Sequence, residues 1–94
     1  MIRLNVFFEK KEEADAAQLD ALCKELVEKS LQDNGNVAYD YFKSATRPGV
    51  GMICETWKDA EVLKVHMASA HFTSLVPQIE ALTKNGLKLE QFEF

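Results

Sequence analysis

Cys54-Glu55-Thr56-Trp57-Lys58-Asp59-Ala60-Glu61-Val62-Leu63-Lys64-Val65-His66-Met67-Ala68-Ser69-Ala70-His71-Phe72 is the stretch on which the fold turns. Its first four residues close a strand that ends in the chain's one tryptophan. Lys58-Asp59 turns the chain, and Asp59 suits a helix N-cap, where a short carboxylate accepts from free backbone N–H groups. Leu63, His66, Met67 and Ala70 then share one helical stripe, with Val62 beside it. His66 is therefore expected to point toward a sheet. Phe72, Leu75, Val76, Ile79 and Leu82 make a further stripe containing Pro77, which predicts a kink or a division nearby.

Upstream, Val50 to Trp57 reads as a strand, with Ile53, Glu55 and Trp57 on one face and Met52, Cys54 and Thr56 on the other. Thr46-Arg47-Pro48-Gly49 is a turn by composition. It joins that strand to another over Val37 to Ala45, where Tyr39 and Tyr41 share a face. Glu12 to Asp33 predicts a long helix through Leu19, Leu22, Cys23, Leu26, Val27 and Leu31. Glu12, Glu13 and Asp15 favour its N-terminal end, Asp20/Lys24 and Glu25/Lys29 are i,i+4 pairs, and Asn34-Gly35 supplies a stop. Ile2 to Phe8 is a strand with Ile2, Leu4, Val6 and Phe8 against Arg3, Asn5 and Phe7. Downstream, Asn85-Gly86 ends the helical part and Leu87 to Phe94 alternates as a last strand.

The order β-α-β-β-α-β predicts an α+β domain over residues 1–94: a ferredoxin-like antiparallel sheet with helices on one face. The other face is expected to present Leu4, Val6, Phe8 and aromatic partners to water, too apolar an area for a monomer. Two sheets are therefore expected to pack face to face in a homodimer, leaving a site between sheet and helices in each subunit.

Composition narrows the function classes. The chain has 94 residues, 47% of them hydrophobic, and a formal net charge of −4. With no one-sided Lys/Arg cluster, a nucleic-acid surface is not expected. No apolar run has the length of a membrane span, and Met1-Ile2-Arg3-Leu4-Asn5 lacks the pattern of a signal peptide, so a cytoplasmic location is expected. Cys23 and Cys54 read as small core residues.

Few groups carry chemistry. His66 is either a satisfied structural residue or, with a pKa near neutrality, a general base. Asn5 is either bonded to neighbouring backbone or an amide donor for a substrate oxygen. Trp57 is core or an aromatic wall for a flat ligand. Glu55 is a partner for His66 or Arg3, or a simple cross-strand charge pair, and Tyr39 and Tyr41 are strand residues first and pocket liners second. His71 follows His66 by five positions, roughly 140° round a regular helix, so the two are not expected to share a face or a metal. His71 and Ser69 are expected to start the next helical segment.

The residues Glu55-Thr56-Trp57-Lys58-Asp59, Leu63, His66 and Ser69-Ala70-His71-Phe72, in the pattern E-x-W, an acid, then H-x-x-x-x-H-F, resemble the antibiotic biosynthesis monooxygenase family. Asn36-Val37-Ala38-Tyr39-Asp40-Tyr41, after the Gly35 turn, is similar to the segment that family has before its second strand. The resemblance spans the whole chain and implies a dimeric α+β barrel with one pocket per subunit. It implies oxidation of a phenolic or quinol-like molecule by O2 without metal or flavin. On that reading His66 is the base, Asn5 the oxyanion donor, and Trp57, Glu55, Tyr39, Tyr41, Met67, Phe72 and His71 line the substrate. Haem degradation, another activity in the family, is not expected: Asn5 matches its motif, but His66 stands where those members carry tryptophan, and Val76 where they carry a haem-ligating histidine. A branch acting on phosphorylated keto compounds leaves a cofactor-free isomerase as the enzyme alternative, and a ligand-binding or stress-response module as the non-enzymatic one.

Overall fold

Alternating burial along the first strand decides which face of the sheet is covered. In the computed structural model, which describes Met1–Phe94, β1 (Ile2–Glu9) buries Ile2, Leu4, Val6 and Phe8 and leaves Phe7 exposed. The following elements are α1 (Ala16–Ser30), β2 (Asn36–Lys43), β3 (Val50–Trp57), α2 (Ala60–Met67), α3 (Ala70–Ala81) and β4 (Lys88–Glu93). The four strands form one antiparallel sheet in the order β2-β3-β1-β4, the ferredoxin-like arrangement.

The register assigns every strand residue to a face. Tyr39, Glu55, Leu4 and Gln91 form one cross-strand row, and Tyr41, Ile53, Val6 and Leu89 the next. These rows lie on the helix side, where Leu4, Val6, Tyr39 and Ile53 join Leu19, Cys23, Leu26, Leu63, Leu75 and Ile79 in one core. This corrects the expectation that Leu4, Val6 and Phe8 face water: α1 and α3 already cover them. The open face carries instead the rows Phe42–Met52–Phe7–Lys88, Asp40–Cys54–Asn5–Glu90 and Ala38–Thr56–Arg3–Phe92.

Element boundaries follow local hydrogen bonding. Helix α1 starts at Ala16 rather than near Glu12 because Asp15 is the N-cap, its side chain accepting from the Ala17 and Gln18 N–H groups. The preceding residues are held as a turn by the Lys10 ammonium, which donates to the Lys11 and Ala14 carbonyls. Glu25 and Lys29 pair at 2.7 Å as expected. Asp20 bonds across to the Tyr41 hydroxyl at 2.7 Å and to Lys43 at 3.1 Å instead of to Lys24. Strand β2 ends at Lys43, two residues early, where the Ser44 hydroxyl accepts from the Thr46 and Arg47 N–H groups and opens the turn. Gly51 leaves room for Phe8, whose ring would stand 3.0 Å from an added Cβ.

The last helical stretch divides at Ala68-Ser69, well before Pro77, which stays inside α3. Ser69 causes the division. Its backbone is extended, its hydroxyl donates to the His66 carbonyl at 2.6 Å, and the same oxygen accepts from the Phe72 N–H at 3.3 Å. One hydroxyl thus closes α2 and opens α3. No helix is long and apolar enough to cross a membrane.

Candidate active site

The helix division brings two histidines together. On a continuous helix their five-residue spacing would separate them, as the sequence reading supposed. With the axis broken at Ser69, His66 Nδ1 lies 2.7 Å and His71 Nε2 2.8 Å from the same oxygen, Asp33 Oδ2. Asp33 comes from the loop after α1, 33 residues before His66. That loop reaches α2 because Gly35 has φ +80° and no side chain; an ideal Cβ there would stand 2.5 Å from a Val62 methyl. The Gly35 carbonyl also accepts from the Lys58 N–H at 2.9 Å, tying the loop to the end of β3.

His66 is only 1% exposed. Its ring packs against Trp57 at 4.3 Å between centroids, with the Phe72 ring edge-on at 5.3 Å and Tyr39 at 5.6 Å. Burial pushes its pKa below the usual histidine value, against the raising influence of Asp33. Neutral imidazole is therefore the resting form. Its second nitrogen, Nε2, has no hydrogen-bond partner and faces Glu55 Oε1 at 4.0 Å.

Glu55 is the group that joins this cluster to a cavity. The Trp57 indole N–H donates to Glu55 Oε1 at 2.8 Å. Burial raises the Glu55 pKa to about 7, and the hydrogen bond from Trp57 and the adjacent Tyr39 hydroxyl offset only part of that rise. The cause is physical: a carboxylate in an apolar wall keeps too few donors to replace water. Tyr39 stays protonated, its pKa pushed up by burial and by the Glu55 charge.

The cavity has a volume of about 220 Å³ between the helix side of the sheet and α3. Leu4, Val6, Ile53, Leu26, Phe72 and Ile79 make most of its apolar wall; Tyr39 and Glu55 line its inner side, and Met67, Glu80 and Leu89 are exposed lining residues. Of the residues expected at a site, Tyr39, Glu55, Met67 and Phe72 line this cavity. His66, Trp57 and His71 form the layer beyond Glu55. Tyr41 is held by Asp20 near the other end of α1. Asn5 is not brought to the site at all: it projects from the open face between Cys54 and Glu90. Asp33 was missed, and only its place in the Asp33-Asn34-Gly35 turn hinted that it leaves the helix.

Asp33, His66 and His71 are also the groups that could hold a divalent ion, with ligand atoms within 4.8 Å of one another. As they stand, one aspartate oxygen takes both imidazoles directly, so an ion would have to displace both bridging protons. A haem does not fit: no imidazole faces the cavity to ligate its iron.

Fold and pocket together define a small ferredoxin-like α+β protein with an apolar, carboxyl-bearing cavity between sheet and helices. Residues 1–78 match the model of the antibiotic biosynthesis monooxygenase family. The chain is 31% identical over 68 residues to YcnE of Bacillus subtilis (strain 168), a protein named provisionally as a monooxygenase, covering 72% of each chain. A solved structure of a conserved protein of unknown function from Bacteroides thetaiotaomicron VPI-5482, described as a possible oxidoreductase, superposes with a TM-score of 0.91. It is 47% identical and covers 99% of this chain and 96% of its own. A crystal structure of an antibiotic biosynthesis monooxygenase superposes with a TM-score of 0.92 at 33% identity, over 100% of this chain and 98% of its own. The chain belongs to the antibiotic biosynthesis monooxygenase family.

Proposed function

We propose that this chain is a cofactor-independent monooxygenase that oxidises a single-ring phenol or quinol with O2. The observation that carries the reading is Glu55, a buried carboxyl with a pKa of about 7 lining an otherwise apolar cavity. A base poised near the working pH takes a proton most effectively, and an apolar wall leaves a phenolate poorly solvated and electron-rich. Glu55 takes the phenol proton; the phenolate gives an electron to O2; phenoxyl radical and superoxide combine to a peroxide, which loses water to leave a quinone. Phenol plus O2 gives quinone plus water, so the substrate supplies every electron and no outside reductant enters.

This assignment moves the proton-accepting role expected of His66 to Glu55, because His66 does not line the cavity. Asn5 takes no part. Size sets the ring count: an apolar cavity of about 150 Å³ holds benzene, so 220 Å³ accommodates one substituted ring rather than three fused ones.

The homodimer belongs to the same proposal. Phe42 is 50%, Phe92 50% and Phe7 38% exposed, all on the open face of the sheet around Met52 and Cys54. Three exposed aromatic rings on one sheet face mark an interface more often than a free surface, and a second copy packing sheet to sheet would cover them. Isomerisation of a small keto compound is the second reading, because a single carboxyl in an apolar pocket also suits proton abstraction beside a carbonyl. Oxygen consumption separates the two: the monooxygenase consumes O2 in step with product, and the isomerase consumes none.

A further inference from the structure

We propose that Asp33, His66 and His71 form a binding site for one zinc-type divalent ion, a structural clasp that ties the loop after α1 to α2 and α3. None of the three residues lines the cavity. The clasp takes no part in the oxidation and does not depend on the monooxygenase reading.

Four observations carry it. The ligand atoms of the three side chains lie within 4.8 Å of one another although they come from three separate segments. Two imidazoles and one carboxylate, with a fourth position for water, make a set that tetrahedral zinc takes; magnesium and calcium prefer oxygen ligands. Asp33 pairs with no lysine or arginine, only with the two histidines. An incoming cation therefore meets a carboxylate whose charge is not already taken by a permanent cation.

The fourth observation is His66 Nε2, buried and without a hydrogen-bond partner. A carboxylate oxygen only accepts, so His66 directs its N–H from Nδ1, and His71 from Nε2, at Asp33 Oδ2. His66 Nε2 is left as a bare acceptor 4.0 Å from Glu55 Oε1. An ion on Nδ1 reverses the ring: the proton moves to Nε2, which becomes a donor aimed at the Glu55 carboxyl. A carboxylate behind a ligating imidazole is the common second partner of a metal-bound histidine. The 4.0 Å gap is about 1 Å longer than a hydrogen bond, and the terminal torsion of a glutamate is soft enough to close it.

The movement needed at the ligands is small. Bonds of about 2.0–2.2 Å at tetrahedral angles set neighbouring ligand atoms about 3.3 Å apart, so the present 2.7 and 2.8 Å contacts open by about half an ångström. Each neutral imidazole keeps its one proton and changes only the nitrogen that carries it. A water completes the shell from the side where the Asp33 and His71 side chains, 20% and 15% exposed, reach solvent. The helix division at Ser69 and the Gly35 backbone at φ +80° hold the three ligands together before any ion arrives.

The test reads metal binding and no oxygen uptake, so its failure is distinct from failure of the monooxygenase reading. Zinc is titrated by calorimetry at pH 7.5 into the chelator-stripped chain, wild type beside His71→Gln. The wild type is expected to bind one ion per chain with a Kd below about 10 μM, and His71→Gln to bind at least about tenfold more weakly. Cobalt(II) in place of zinc gives a second reading on the unaltered chain, which holds even if His71→Gln does not fold. Ligation by nitrogen and oxygen is expected to give visible d–d bands without the near-ultraviolet thiolate band that Cys23 or Cys54 would produce. A wild-type Kd above about 10 μM, a loss of less than about tenfold in a folded His71→Gln, or a thiolate band overturns the proposal.

Discussion

Replacing Glu55 by glutamine should make the protein more stable and less active, and the stability gain should build up between about pH 4.5 and pH 7 and stay at its full size above neutrality. Glu55 has its pKa raised from 4.5 to about 7 by burial. A raised folded-state pKa means that the group's stabilising contribution is fully present below the unfolded value and is lost as pH rises through about 7. The shift is about 2.5 pH units at about 1.4 kcal/mol each, so ionised Glu55 costs the wild type about 3 kcal/mol at pH 8.5. Glutamine keeps an oxygen for the Trp57 indole N–H and carries no charge, so it escapes that cost. At pH 5 the folded carboxyl is already protonated, and the expected difference between the two proteins falls below about 1 kcal/mol. His66, with its pKa lowered, runs the opposite way: its contribution is present above the unfolded value and is lost as pH falls. At pH 5 His66 faces a neutral side chain in both proteins, and at pH 8.5 its own ring is neutral in both, so subtraction isolates Glu55. Urea unfolding at one fixed protein concentration, at pH 5 and pH 8.5, measures the difference. A gain of equal size at both pH values, or a glutamine variant less stable than the wild type at pH 8.5, would refute the reasoning.

Other consequences are as direct. His66→Gln is expected to lower turnover less than Glu55→Gln does and to change KM little, since His66 stands 4.0 Å behind Glu55 and does not line the cavity; steady-state oxygen uptake decides. Gly35→Ala forces a Cβ to within 2.5 Å of Val62 at φ +80°, and overpacking of this kind costs roughly 1–3 kcal/mol beyond the backbone strain; unchanged urea unfolding would contradict the account of how the Asp33 loop reaches α2. Sedimentation at micromolar concentration should give a dimer for the wild type and a monomer for Phe7→Glu, which places a charge in the middle of the open face; a monomeric wild type removes the dimer. Stripping metal with a chelator should leave oxygen uptake unchanged, and a rate lost on stripping and restored by a divalent ion would move the chemistry to Asp33, His66 and His71.

The strands were legible because burial and alternation act at short range. Val50–Trp57 was read to the residue, since Ile53, Glu55 and Trp57 alternate with Met52, Cys54 and Thr56 between two turns. The caps Asp59 and Ser69 were legible for the same reason: a short polar side chain before an apolar stripe has one local task. Which face of β1 the helices would choose was not legible, because Phe7 made both faces partly apolar and nothing local weighs α1 against a second sheet. Asn5 was misplaced along with that face. The meeting of His66 with His71 required the helix axis to break at Ser69, and a periodicity argument assumes an unbroken axis. Asp33 lay further still from reach. Its role depends on a glycine conformation two residues on and on a contact across 33 residues, and residue pattern carries neither. The raised pKa of Glu55 comes from how few donors surround it, a property of the packed cavity and not of the motif Glu55-Thr56-Trp57.

Oxygen uptake by the metal-stripped protein, wild type beside Glu55→Gln, with a panel of single-ring quinols, catechols and larger hydroxyanthrones, tests the central claim most directly. The account predicts uptake above the uncatalysed rate for single-ring members, little for the fused ones, and a loss of about 100-fold or more in Glu55→Gln. Equal uptake by the two proteins on every substrate would contradict it.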